Sequence, residues 1–446
     1  MRVLLIGRWG KTHAIAKALA KSKNVELYSL MDKKNNGIVD LSKRYELLDI
    51  TDPEKIKHFA HENDIEMAVV VPEMSLAQDM TRHFHDMGIP SVGPSEFCTR
   101  LEGDKAFLRN LMKENGIEAY PEFHVFHDEE KAVDYISGTA APLAVKPIGI
   151  TEGDGVKVMG IQLNDKEEAK DYVREVFRDS IGEIPGVIIE EKIEGEEYTL
   201  QMFCDGKTIA PMPAVRDYKL LEEGESGMNT PGMGSYSSSD HLLPFLTRED
   251  FYKSIEIIQD ILNVLAEKYN ERFNGILSGQ YMLTRSGIKL VEINVRPGDS
   301  EILNITPIIK TDFLEICQAI ATGALNEIGI EYENKATVCK YAVPEGFPTP
   351  EGLVRIEIDK KCVEEAGTHL FQSCFEAGDN LFKPSPRLFA ITGVGDTLKE
   401  AYDRCETGLS CISGEGIFHR KDIGTAVLTD NYKKFPWLKR ERKEII

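Results

Sequence analysis

Near residue 290 the chain reads "IKLVEINVRPGDSE", a mostly apolar strand carrying Glu292 and Asn294 two positions apart. Residues i and i+2 of a strand share a face and lie roughly 6.6 Å apart. A carboxylate and an amide placed in this way can offer two oxygens to one hard cation. Mg²⁺ favours such sites, with one or two carboxylates completed by phosphate oxygens. Gln280, on the preceding strand, either adds a third oxygen or fills space. A solvated strand face would look similar over three residues, but Arg296, Asp299 and Glu301 follow at once, and that density of charge points to a site.

Two lysines match the needs of a phosphate. Lys146 ends the apolar strand "PLAVKP", where a buried ammonium requires an anionic partner. Lys105, on the amphipathic helix "LEGDKAFLRNLMKENG", either reaches the same anion or snorkels along the surface. The loop "IGITEGDGV", with Gly149, Gly153 and Gly155, can close over a triphosphate, although it lacks the GK[ST] ending of a P-loop and resembles many plain turns. "RDYKLLEEGESGMNTPGMGSYSSSD" reads as a long polar loop, either functional or a disordered linker. Its Asp217 and Lys219 could pair with an amine and a carboxylate.

The elements that must position these groups are also legible. "RVLLIG", "VELYSL" and "EMAVVVP" are short apolar runs separated by helical stretches, so the first hundred residues predict a parallel, doubly wound α/β sheet. Ligands of such sheets sit beyond the carboxyl ends of the strands, where "GRWGKTH" and "VPEMS" fall. A glycine-interrupted turn into a helix offers N–H groups to a phosphate, and Arg8, Lys11 and His13 add donors. The third glycine and the acidic strand end of a dinucleotide fingerprint are missing. Further on, "GILSGQYMLTRSGIKLVEIN" predicts a hairpin turning at Ser286–Gly287. Residues 335–432 read as β-rich, with a helix near "TLKEAYDRCETGL".

Composition narrows the class. A chain of 446 residues with 42% hydrophobic and 28% charged residues suits a multidomain globular protein. A net charge of −21 argues against nucleic acid or a membrane surface as partner, and the basic tail "KKFPWLKRERKEII" is expected to be a plain surface end. The eight cysteines form no CxxC pair and are expected to be mostly buried thiols rather than disulfides or a zinc site. His83/His85 and His124/His127 are expected at the surface. With no signal peptide or apolar run long enough to span a bilayer, the expected location is the cytoplasm.

Taken together, "LEGDKAF", "IEEKIEGEEYTL", "RDYK…GMNTPGMGSYS", "VEINVRPGDSE" and "GDTLKEAYDRC…FHRKDIG", in that order, resemble the ATP-grasp superfamily and within it the glycinamide ribonucleotide synthetases (phosphoribosylamine–glycine ligases). The resemblance implies a Rossmann-like N-terminal domain (1–100), an ATP-grasp domain (101–325, small lobe about 120–195) and a small β-rich C-terminal domain (330–446). It implies an ATP-dependent joining of glycine to phosphoribosylamine through a glycyl phosphate, in purine biosynthesis, with Mg²⁺ (or Mn²⁺), small-molecule partners only, and a monomer or small homo-oligomer. At matching positions it assigns ATP to Lys105, Lys146, Gly153, Gly155, Glu191, Ile193 and Glu197, and the metal to Glu292, Asn294 and Gln280. Arg296 and Asp299 are the implied catalytic groups. Gly10, Lys11, His13, Glu73, Asp217, Lys219, Asn229 and Thr230, with Arg296 and Asp299, are the implied substrate contacts.

Three loops depart from the family pattern. The usual GNGGREHA is "GRWGKTHA" over 7–14, the usual GPEAPL is "VPEMSL" over 71–76, and the lid's usual GKGV is "GDGV" over 153–156. A carboxylate at Asp154 about 4 Å from a phosphate charge would cost about 4 kcal/mol at an effective dielectric near 20. Lys157 is close by but points to the opposite face if strand begins there. The departures leave two alternatives open, a ligase with a different amine and a nucleotide-binding relative without ligase activity. Trp9 either packs against a ribose or narrows the site.

Overall fold

The computed structural model describes residues 1–151, 155–384 and 386–425, excepting the side chain of Glu73. Gly153, Asp154, the Glu73 side chain and the basic tail lie outside the described residues.

The N-terminal strands β1 (Arg2–Ile6), β2 (Glu26–Met31), β3 (Arg44–Leu47), β4 (Met67–Val70) and β5 (Ser91–Val92) pair in parallel in the order β3-β2-β1-β4-β5. The order reverses between β1 and β4, and a doubly wound sheet opens its ligand crevice at such a point. Helix α1 (Gly10–Ala20) starts directly above that crevice, with Trp9 at its N-cap.

The expected helix over 101–116 is in fact two, Glu96–Gly103 and Lys105–Glu114. Asp104 breaks the helix because its side chain leaves the helical path to accept from Phe107 N, capping the second segment. That break places Lys105 at the first position of a helix.

A small antiparallel sheet follows, β6 (Phe123–Phe126), β7 (Leu143–Pro147), β8 (Lys157–Val158) and β9 (Val187–Glu191), in the order β6-β9-β7-β8. Residues Lys192–Glu194 link it to β10 (Gly195–Asp205), which joins β11 (Ile209–Pro211), β14 (Asn274–Thr284) and β15 (Gly287–Asn294) in the order β11-β10-β14-β15. The β14–β15 connection is Arg285–Ser286, one residue earlier than the spacing predicts, because Gly287 already pairs with Thr284.

The stretch expected as a long polar loop is a hairpin, β12 (Arg216–Glu222) and β13 (Ser226–Ser237). Its polar residues hide the strands because they erase the apolar alternation by which a strand is read. β13 pairs with β16 (Ala336–Pro344), and β16 with the strand Phe389–Gly395, so this hairpin extends the sheet of the C-terminal region. The helix Leu398–Ser410 covers that sheet.

Six cysteines are buried thiols, as expected, but Cys362 and Cys411 form a disulfide. The helix Lys360–Glu365 packs on the end of Leu398–Ser410, bringing two Cα atoms 49 residues apart to 5.7 Å, within bonding range. No helix among the described residues is long and apolar enough to cross a membrane.

Candidate active site

Three cations and the oxygens of β14 and β15 meet between the two central sheets. Lys146, on β7, donates to Glu190 Oε2 at 2.6 Å, and Arg109 Nε donates to Glu190 Oε1 at 2.7 Å. Burial alone would raise the Glu190 pKa, but Arg109 and Lys146 outweigh it and hold the group below the usual carboxylate range. A carboxylate inside the apolar run "VIIEE" was the available signal for this residue, since a buried charge requires a partner.

Lys105 anchors the start of the glycine loop. Its N–H donates to Ile148 O at 3.0 Å and its Nζ to Gly149 O at 2.6 Å. Burial lowers its pKa, with Glu292 acting the other way. Gly155 O accepts from Tyr172 Oη at 2.7 Å. Lys157 faces away, 3.8 Å from the centre of the Tyr172 ring and 3.7 Å from Glu175.

On the facing sheet, Gln280 pairs in register with Glu292. The Lys219 ammonium sits between them, donating to Gln280 Oε1 and 3.7 Å from Glu292 Oε1. Asp217 lies 4.0 Å from the same ammonium. Burial would raise the Glu292 pKa, but Lys219, Lys105, Lys146 and a bond from Asn294 pull it down, so the carboxylate stays charged. The Lys219 ammonium thus marks a cation position lined by the carboxylates of Glu292 and Asp217 and the amide oxygen of Gln280, all hard donors. Among the described residues no group of three or more His, Cys, Asp or Glu side chains could hold a metal. Nearby, burial and Asp217 push the Glu301 carboxyl up to about 7.

The linker between β9 and β10 carries the expected adenine contacts, Glu191 and Ile193. Glu191 N donates to Glu122 O at 2.9 Å and Lys192 N to Pro142 O, whereas Ile193 N–H meets no main-chain acceptor among the described residues. Glu197 lies on β10, and its carbonyl accepts from Arg216. Asn229 pairs with Leu220 across the hairpin, and Thr230 Oγ1 donates to Lys219 O at 2.7 Å. Arg296, just past β15, is held by Glu102 at 3.1 Å.

Asp299 joins three segments. Its Oδ2 accepts from Lys11 N at 3.1 Å and lies 3.2 Å from Arg387, while Oδ1 accepts from Tyr341 Oη. Arg387 also donates to the carbonyls of Pro231, Gly232 and Asp299. A Cβ on Gly10 would lie 2.3 Å from Tyr341 Oη, so only glycine lets α1 begin there. Tyr341 and Arg387 carry no motif that sequence reasoning could have used.

The opening loop is rearranged relative to expectation. The Arg8 guanidinium pairs with Asp32, 4.4 Å from the Trp9 ring centre and 5.4 Å from that of Phe375. Lys11 Nζ lies 5.5 Å from the Trp9 ring centre. Trp9 therefore lies within reach of two cations. His13 is turned to the C-terminal region, where its Nδ1 accepts from Gln372 N at 2.9 Å. Burial, then Lys17, drive its pKa down to about 3, so it is neutral and offers a phosphate no charge. A histidine with a depressed folded pKa stabilises the fold above its unfolded value and loses that contribution as pH falls from about 6.5 toward 3. Urea titrations of His13→Gln should accordingly show a flatter loss of stability between pH 6.5 and 5 than the parent chain, and parallel slopes would refute a neutral buried His13.

Comparison with known proteins identifies the family. Three family models match in sequence: the N domain of phosphoribosylglycinamide synthetase over residues 1–102, its ATP-grasp (A) domain over 103–302 and its C domain over 337–426. The chain is 43% identical to the phosphoribosylamine–glycine ligase of Methanopyrus kandleri over 432 residues, covering 95% of this chain and 96% of that one. It is 43% identical to that of Methanosarcina barkeri over 430 residues, 96% and 97% of the two chains. The crystal structure of the Thermotoga maritima phosphoribosylamine–glycine ligase superposes with a TM-score of 0.81 at 25% identity, covering 95% of this chain and all of that one. The biotin carboxylase domain of the Hydrogenobacter thermophilus 2-oxoglutarate carboxylase, 15% identical with a TM-score of 0.69, shares the fold. The chain belongs to the phosphoribosylglycinamide synthetase family.

Proposed function

We propose that this protein is an ATP-grasp ligase joining glycine to 5-phosphoribosylamine, giving glycinamide ribonucleotide, ADP and phosphate in purine biosynthesis. The observation that carries the reading is the meeting of Lys105, Lys146 and Lys219 with Glu292 and Gln280 between two sheets, in a chain matched by all three family models. In the first half-reaction a glycine carboxylate oxygen attacks the γ-phosphorus of ATP, and the bond to the β-phosphate oxygen breaks. In the second, the amine nitrogen attacks the acyl carbon, inorganic phosphate leaves and the nitrogen loses a proton.

Neither step requires a side-chain nucleophile; positioning and charge stabilisation suffice. Lys105 and Lys146 bind the triphosphate, the main chain at Glu191 and Ile193 reads the adenine, and Glu197 holds the ribose. Glu292, Asn294 and Gln280 would hold Mg²⁺, which supplies charge neutralisation on the phosphates. Asp217 receives the amino group of glycine and Arg296 faces the transferred phosphoryl group. Asn229 and Thr230 shape the glycine pocket, while Asp299 and Gly10 fix the start of α1 beside the amine. The loop 149–155, with Gly153 and Gly155, excludes water from the acyl phosphate. Lys11 lines the amine side, and His13 supports it from behind. Six buried thiols fit a cytoplasmic setting.

A coupled ADP-release assay with glycine, with and without phosphoribosylamine generated in situ, tests the reading. Release is expected only with both substrates, and equal turnover without the amine would overturn it. The packing of Arg8 and Trp9 favours one competing reading, a different amine. That reading requires another amine to outperform phosphoribosylamine in the same assay.

A further inference from the structure

β15 does not run straight into the site. Gln280 pairs with Glu292 and Tyr281 with Leu290, leaving Val291 as an extra residue on β15. Such a bulge re-aims the neighbouring side chain and leaves its own carbonyl outside the ladder. Here the neighbouring side chain is Glu292, and the Val291 carbonyl accepts from Arg109 Nη2 at 2.7 Å. The same guanidinium, through Nε, holds Glu190, whose other oxygen holds Lys146. Arg109 and Glu190 are each only 3% exposed at the side chain. Arg109 lies one helical turn beyond Lys105 on the same helix, so both cations project from one face.

We infer that Arg109 is a positioning residue that locks the Val291 bulge, and with it the direction of Glu292, to the Glu190–Lys146 pair beside the nucleotide linker. The two ends of the nucleotide site are thereby held by one planar group. The inference rests on the reading of this cleft as an ATP and metal site, and it concerns a residue that contacts neither. Only a guanidinium has two arms at a fixed angle for a carboxylate and a carbonyl; an ammonium in its place would serve one of them.

Calorimetric titration with ADP, in EDTA and then in excess Mg²⁺, separates the two arms. In the parent chain Mg²⁺ should tighten ADP. In Arg109→Lys the ammonium keeps Glu190 ionised, so ADP affinity in EDTA should stay within about twofold, while the Mg²⁺-dependent gain should fall about 10-fold, the loss typical of removing a group that orients a metal ligand. In Arg109→Gln, Glu190 loses one of its two cations and Lys146 alone must offset it, so affinity in EDTA should fall as well. Thermal melts of both variants accompany the titrations, and should Arg109→Gln fail to fold, Arg109→Lys decides alone. A full Mg²⁺ gain in Arg109→Lys would overturn the inference. If the parent chain itself binds no ADP, or gains nothing from Mg²⁺, the nucleotide–metal reading falls and this inference with it. That outcome is distinguishable, because it appears before any substitution is made.

Discussion

Glu292→Gln is expected to lower kcat/KM for ligation on the order of 10³-fold, about 4 kcal/mol of transition-state stabilisation. The substitution keeps the volume and an oxygen, so the loss isolates the charge. Glu292 is the carboxylate of an otherwise neutral set with Asn294 and Gln280, and three lysines keep it ionised against burial. On the proposed reading Glu292 would hold a divalent cation that neutralises the phosphates, and an amide in its place would hold that cation more weakly. The fold should tolerate the change, because Lys219 keeps Asp217 and Gln280. A loss of ~1 kcal/mol would shift the melting temperature by only about 2–4 °C. Retention of more than a tenth of the parent activity would show that Glu292 is not a ligand of the reacting complex.

Asp299→Ala should give the largest stability effect, roughly 3–5 kcal/mol, because it strands a buried guanidinium. Arg387 is almost wholly buried and pairs with Asp299 at 3.2 Å. The same carboxylate receives Lys11 N from the first domain and Tyr341 Oη from β16, so truncation frees three segments at once. Chemical denaturation should show an earlier transition of the N- and C-terminal regions. Asp299→Asn, which keeps the shape and leaves one oxygen to accept from Lys11 N while its amide nitrogen can donate to Tyr341 Oη, should recover part of the loss. An Asp299→Ala chain as stable as the parent would mean that Arg387 finds another partner.

The gathering of Lys105, Lys146, Glu292 and Gln280 was legible from sequence because its signals are local. A carboxylate and an amide at i and i+2 of a strand, a lysine ending an apolar run, and a glycine opening a helix each reveal a requirement within a few residues. The parallel sheet was legible for the same reason, since strand and helix periodicities differ. Expectations failed where the partner lies far away in sequence. His13 reads as a phosphate donor until Gln372 takes its ring nitrogen, and Arg8 reads as a free cation until Asp32 pairs with it. The stretch 216–237 reads as a loop because its polar residues and glycines erase the alternation of a strand. Cys362 and Cys411 gave no signal of pairing across 49 residues.

The sequence by itself determined which chemistry the chain carries, since the identities and short spacings of Glu292, Asn294, Lys146 and Lys105 are fixed covalently. Only the tertiary structure decided which charges are available to a ligand and which are consumed internally. Arg109 joins residues 81 and 182 positions away, and Asp299 meets an amide 288 positions away. Such pairings depend on how sheets and helices dock, and burial then removes water as the competing partner, so each buried charge binds whatever the fold brings to it.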